Sequence, residues 1–393
     1  TTSTDFRFNS KKNGTGVGKN FVFSKQDTTL LWKLQIDTGV IRHYDSNIHY
    51  IGDETTDLDA YIATSAVSNG DTIVLGSGTY AITADIDVAK SINIRGQGIN
   101  KTIISTATNT INAIDISSDN VSVSNLSISM TSGGTTNRGI YALGSAGTIF
   151  SNIHINNVNI NMSGAGTQTG INFGDAGGSV RDVVITATST NNLARGIYAV
   201  NLSSAESSTT VEVFNVMATT VGNATYSRAF YVDDSSASQD CTMNLYDSYG
   251  TSTETAAISS DAAAANVGDA ILNIYGGTYS ATDNDISSLS SGVVNVYYTN
   301  LKNGTTSGVI NWLGESNFDD ISINGNITND VVMTGTAVST RTTDIGWSVV
   351  AAANQACNTT CTNACVMGTD SVTVGFLLCT DATADSCLCA GSN

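Results

Sequence analysis

The sequence predicts an all-β chain dominated by a solenoid of about nine or ten stacked coils. Pairs of apolar residues in strand alternation recur at Ile92/Ile94, Val121/Val123, Ile153/Ile155, Gly178/Val180, Val211/Val213, Met243/Leu245, Leu272/Ile274, Val294/Val296 and Ile321/Ile323. The Gly178/Val180 copy keeps one apolar member of its pair. Two residues after each pair stands Gly96, Asn125, Asn157, Asp182, Asn215, Asp247, Gly276, Tyr298 or Gly325, and all but Tyr298 are types that tolerate a left-handed backbone. A second series, at Ile140-Tyr141, Ile171-Asn172, Ile197-Tyr198, Phe230-Tyr231 and Ile258, keeps step with the first. Copies 22 to 33 residues apart, built on strand alternation, indicate a repeat of stacked β-coils. A sandwich of short hairpins would not require two series at one shared period.

Each coil then places alternating apolar side chains inside and Ser, Thr and Asn outside. A third short strand follows the turn, as in Leu126/Ile128 and Val158/Ile160. Ahead of the repeat, residues 56–67 set Leu58, Ile62 and Ala66 at helical spacing, which predicts an amphipathic capping helix. The stretch 70–80, Gly-Asp-Thr-Ile-Val-Leu-Gly-Ser-Gly-Thr-Tyr, resembles the first coil of the right-handed parallel β-helix of the pectate-lyase-like superfamily. Residues 92–98, Ile-Asn-Ile-Arg-Gly-Gln-Gly, resemble its second coil, and Thr102-Ile103-Ile104 continues the pattern. The resemblance covers roughly residues 55–330 and implies the fold. It does not select a function, because that superfamily includes lyases, hydrolases, adhesins and phage tail spikes.

Composition narrows the partners. Charged residues are 13% of the chain, proline is absent, and the net charge is −18. Residues 1–42 hold seven basic side chains (Arg7, Lys11, Lys12, Lys19, Lys25, Lys33, Arg42) against three acids (Asp5, Asp27, Asp37), a net of +4 that leaves −22 for the rest. So acidic a body is expected to repel nucleic acid and anionic membrane. No apolar run approaches the roughly 18 residues of a membrane span.

Three regions follow. Residues 1–54 lie outside the repeat. Their short alternating stretches (Phe21, Phe23, Leu31, Trp32, Leu34, Ile36) suit strands that anchor the chain to other virion or filament subunits, or that pack as a cap. Residues 55–335 are the solenoid. Residues 336–393 gather six of the seven cysteines: Cys357, Cys361, Cys365, Cys379, Cys387 and Cys389. So short a segment needs staples, and three disulfides are the first reading, with fifteen connectivities open. Zinc is the second: Cys357-x3-Cys361-x3-Cys365 has tolerable spacing, but Cys387-x-Cys389 is tight and no histidine lies nearby. Disulfides imply an oxidising, extracellular location. Cys241, ahead of Met243, is expected to be unpaired near the core. The run from Thr343-Asp344-Ile345-Gly346-Trp347 to Cys387-Leu388-Cys389 resembles the Cys-rich tail of marine phage appendage proteins, and resemblance to tail spikes implies a homotrimer.

The search for chemistry returns little. Neither the calcium-binding carboxylates with a basic residue of pectate lyases nor the aspartate and Gly-His-Gly set of polygalacturonases is present. His154 alternates with Ile153 and Ile155 and is expected to face solvent. Asp233-Asp234 after the Phe230-Tyr231-Val232 strand, with Asp175 two coils earlier and Glu206 between, are the candidate catalytic carboxylates, because glycoside hydrolysis uses acids roughly 5–10 Å apart. Loop-capping aspartates have the same sequence pattern. Arg138, Arg195 and Arg228 each precede a second-series strand, and Tyr141, Tyr198 and Tyr231 follow at fixed offset. On an outward groove these six form a glycan-binding shelf; the competing arrangement pairs Arg with loop acids and packs Tyr between coils. No metal or cofactor is expected.

The sequence therefore favours an extracellular or virion-surface appendage subunit that attaches to a host polysaccharide. A secreted polysaccharide lyase or glycoside hydrolase, and a structural filament subunit, are the alternatives. The tail supplies a test. Mass mapping of native protein is expected to find three disulfides within residues 357–389. Reduction is expected to loosen this module before the solenoid, since each staple contributes roughly 2–4 kcal/mol. Six free thiols, or stoichiometric zinc, would contradict the reading.

Overall fold

The computed structural model describes side chains over residues 47–144, 148–202, 207–222, 227–234, 239–253, 269–282, 285–288 and 292–297, with 299, 310 and 311; elsewhere it describes the backbone of strands. Two compact units result, Thr1–His49 and Tyr50–Asn393. In the first, strands Asn20–Ser24, Leu31–Asp37 and Val40–Tyr44 form an antiparallel three-stranded sheet. The alternating stretches expected there are strands; their side chains lie outside the described residues.

The second unit is a parallel β-solenoid in which each coil contributes strands to three sheets. In the first sheet, Ile73, Ile94, Val123, Ile155, Val180, Val213, Leu245, Ile274 and Val296 are register partners on successive coils. In the second, the inward row is Ile104, Ile128, Ile160, Ile185, Ala218, Gly250 and Tyr279. In the third, it is Ile114, Ile140, Ile171, Ile197, Phe230 and Ile286, with the backbone of Ile258 in register between the last two. Nearly all of those with described side chains are fully buried and belong to one continuous apolar core. Each such Ile, Val or Leu removes surface from water worth roughly 1.5–3 kcal/mol. Where two rows crowd, size alternates: a Cβ on Gly250 would stand 3.0 Å from the Tyr279 ring and 3.1 Å from Phe230.

The turn between first and second sheets is left-handed as expected at Asn125 (φ 56°), Asn157 (52°), Asp182 (53°), Asn215 (49°), Asp247 (44°) and Gly276 (87°). These side chains also bridge coils: Asn157 Nδ2 donates to Asn125 Oδ1 at 2.7 Å, and Asn215 Nδ2 to Asp182 Oδ1 at 2.8 Å. Gly96 serves a different need; a Cβ there would lie 2.3 Å from the Asn125 carbonyl oxygen. Of the last copy, Ile321 lies outside the described residues and Ile323 is not on the ladder. Val294 and Val296 pair instead with Ile310 and Trp312, and Ser322–Ile323 joins a separate two-stranded sheet with Val338–Ser339. The shorter coil that closes at Trp312 leaves the later apolar pair out of phase.

The capping helix spans Leu58–Ala63, shorter than its spacing suggests. The Asp57 side chain caps it by accepting from the Ala60 N–H at 3.1 Å, and the Thr64 hydroxyl takes the Tyr61 carbonyl at 2.7 Å and ends it. Leu58 and Ile62 are buried, but Ala66 lies beyond the helix and is exposed; Val67 takes the buried position. In the C-terminal region, backbone strands Cys365–Thr369 and Trp347–Ala351 both pair antiparallel with Ser386–Ala390. The cysteine side chains of residues 357–389 lie outside the described residues. Cys241 is free and fully buried, and burial pushes its thiol up to about 12. Among the described residues no helix is long and apolar enough to cross a membrane.

The turn ladder is testable. Asn157→Val is expected to destabilise the unit by about 1–2 kcal/mol through left-handed strain, while Asn157→Gly retains most of the stability. Equal denaturation midpoints for wild type and valine variant would contradict the stacked turn.

Candidate functional site

Because coils stack in register, any outward position becomes a column. On the third sheet, Asn112, Arg138, Thr169, Arg195 and Arg228 form one column, and Asp115, Tyr141, Asn172, Tyr198 and Tyr231 the next. Arg195 and Arg228 are adjacent, but Thr169 separates Arg138 from Arg195 and Asn172 separates Tyr141 from Tyr198. The tyrosine row expected from sequence is therefore interrupted.

Aromatic rings relieve the repulsion between stacked guanidinium groups. Arg138 lies 4.1 Å above the Tyr141 ring, Arg195 4.3 Å above Tyr198 and 5.2 Å from Tyr231, and Arg228 4.6 Å above Tyr231. Tyr198 and Tyr231 stack at 5.0 Å. Arg138 is further fixed by donating to Asn172 Oδ1 at 3.0 Å and Asn112 Oδ1 at 3.3 Å. The Tyr198 hydroxyl donates to Asp233 Oδ2 at 2.8 Å; burial, and then the Asp233 charge, raise the phenol above its ordinary range. Arg138, Tyr141, Arg195 and Tyr198 remain partly exposed, whereas Arg228 and Tyr231 are 2% and 4% exposed and contribute packing.

The three candidate carboxylates with described side chains, Asp175, Asp233 and Asp234, do not converge on solvent. Asp234 is fully buried and Asp175 is 2% exposed. Asp175 adopts φ 46°, and its Oδ1 accepts the Leu202 N–H at 2.7 Å, so it caps a loop. Asp233 points outward on the same strand, held by Tyr198. Strand alternation separates the neighbours Asp233 and Asp234 onto opposite faces, which their adjacency in sequence concealed. Glu206 lies outside the described residues. His154 faces solvent as expected, with Nδ1 2.8 Å from the Ser179 hydroxyl.

Two features escaped sequence reasoning. Asp85, Asp87 and Asp115 bring carboxylate oxygens within 4.8 Å of one another beside Arg138. Oxygen donors of this kind suit a hard cation. Here Asn112 already engages them, donating through Nδ2 to Asp115 at 2.8 Å and Asp85 at 3.3 Å. Burial, with Asp85 and Asp87 beside it, raises the Asp115 carboxyl against the lowering effects of Asn112 and Arg138. The signal was available: Asp85 directly precedes and Asp87 lies on strand Ile86–Val88, and Asp115 follows one coil later.

The second feature lies on the first sheet. Rings of Phe214, Tyr246, Tyr275 and Tyr297 stack at 4.7, 4.8 and 4.3 Å, and Arg181 covers Phe214 at 4.1 Å. Two residues back along each strand, Asn311, Asn295 and Asn273 each donate to the amide oxygen one coil before, and Asn244 donates to Glu212. Each aromatic directly follows the second apolar residue of its strand pair, a regularity legible in sequence.

No family model matches this sequence, and no curated protein matches it. Among solved structures, the chain is similar to the A-modules of Azotobacter vinelandii mannuronan C-5 epimerases AlgE6 (13% identity, 74% of this chain, 99% of that one, TM-score 0.34) and AlgE4 (12%, 74%, 97%, TM-score 0.34). The parallel strand pairings establish the fold without them, and no activity is carried over.

Asp115 offers a pH test. Its folded carboxyl is raised, so the native state favours the protonated form, and its charge at neutral pH costs stability. Asp115→Asn is expected to raise the urea midpoint at pH 7, with the gain shrinking as pH falls through the raised folded value and gone below about 4, where Asp115 is protonated in both states. A pH-independent gain, or a loss at pH 7, would contradict the assignment.

Proposed function

We propose that this chain is an extracellular or virion-surface appendage subunit whose solenoid binds a host-surface polysaccharide through the third sheet, without cleaving it. The observation that carries this reading is the part-exposed array of Arg138, Tyr141, Asn112 and Asp115, continued by Arg195 and Tyr198. Guanidinium groups already laid on tyrosine rings have little rotamer freedom left to lose on binding. Paired donors and acceptors of this kind suit vicinal sugar hydroxyls, and the acids beside Arg138 favour a neutral glycan over an anionic one. In this reading residues 1–54 join the chain to other subunits, the assembly is a homotrimer, and the Cys-rich module closes the far end.

The hydrolase or lyase alternative needs acids that face one substrate. Asp175 and Asp234 are buried, and Asp233 is engaged by Tyr198.

Titration with polysaccharide extracted from the host surface tests the proposal. Wild type is expected to bind, and Arg138→Ala with Tyr141→Ala to weaken binding at least tenfold, about 1.4 kcal/mol. No new reducing ends or unsaturated products are expected. Product release that disappears in Asp233→Asn would overturn the binding-only reading.

A further inference from the structure

The second sheet carries a surface that neither the core nor the glycan reading uses. Among the described residues five large hydrophobic side chains are more than a third exposed, and four of them, Val184, Met217, Val221 and Tyr249, project from this sheet. Val184, Met217 and Tyr249 are register partners on successive coils and make one outward row, with Met217 50% and Tyr249 49% exposed. Two residues along each strand, Thr186, Thr219 and Thr251 make a parallel row, tied by a Thr251 hydroxyl donating to Thr219 at 3.1 Å.

Neither row contains an Asp, Glu, Lys or Arg on any coil from strand Thr102–Thr106 to strand Ala270–Ala281. The other two sheets differ. The first bears Arg95, Arg181 and Glu212 outward, and the third bears Asp87, Asp115, Arg138 and Arg195.

Two physical arguments identify what covers this face. The chain carries a net charge of −18, so two copies repel wherever their acids meet; the uncharged outward rows, bordered by Asp182 and Asp247 at the turn, let them approach at lower cost than either other sheet. The outward rows also repeat at about 4.8 Å per coil, and other copies present that same spacing, so such faces turned toward a common axis match coil for coil. A partner without that period loses register after one or two coils. We infer that further copies of this chain pack side by side through the second sheet, with Met217 and Tyr249 at the centre of the interface. The inference does not depend on glycan binding. It accounts for exposed apolar surface that a soluble monomer would otherwise leave open.

Light scattering on the full chain across a concentration series tests it. Wild type is expected to assemble. The double variant Met217→Asp/Tyr249→Asp is expected to dissociate with at least a tenfold weaker constant, because it places new charge on each copy. Its thermal transition is expected to persist, since both side chains point outward, and Thr210→Asp, an exposed position on the first sheet, is expected to leave the assembly mass unchanged. As a second readout, Met217 in the wild-type assembly is expected to resist peroxide oxidation. A wild type that is monomeric throughout, a double variant that assembles like wild type, or complete oxidation of Met217 within the wild-type assembly would each overturn the inference.

Discussion

Every coil of this solenoid finds its backbone hydrogen-bond partners in the coils above and below it. That single constraint governs the rest of the structure. A parallel strand buried between two others cannot slip by one residue without turning its apolar set outward. Ile155 therefore sits over Val123 and under Val180, and a residue acceptable at one level must be acceptable at the next. The same rule explains the turn column, where Asn and Asp bond from coil to coil, and the alternation of Gly250 with Tyr279, where two large side chains would collide.

Function inherits the constraint. A polar residue on an outward position always has register neighbours on the coils beside it, and those neighbours set its environment. On the third sheet, Thr169 separates Arg138 from Arg195 and tyrosine rings lie against every arginine of the column, leaving Arg138 and Arg195 oriented and partly exposed. On the first sheet, amides and aromatic rings complete each other along the axis. On the second, the outward rows carry hydroxyls and apolar groups without charge. One chain thus presents three chemically different surfaces on a common scaffold.

Much of this was legible before any coordinates. The apolar pairs announced the inward rows, and the Asn and Asp residues announced the left-handed turns, because both are local consequences of strand alternation and backbone sterics. What stayed hidden depended on relations between coils. Asp233 and Asp234 look like a pair in sequence but occupy opposite faces of one strand. Asp85, Asp87 and Asp115 look scattered but meet, because one coil separates them. Ile323 matched the pattern and still missed the ladder, because a short coil ending at Trp312 changed the phase ahead of it. Helix length failed for a different reason: Thr64 turns the chain out of the helix before Ala66, whatever the apolar spacing.

The most direct test of this account removes one coil. Deleting residues 183–215 joins Asp182 to Val216, which occupies the equivalent place one level on, so every remaining strand keeps a partner in register. The expected product is a soluble protein with the β-sheet circular dichroism of the parent and a single cooperative melt, whereas deletion of residues 183–198 alone is expected to abolish the fold. A whole-coil deletion that unfolds the protein as completely as the half-coil deletion would contradict the stacking on which everything above rests.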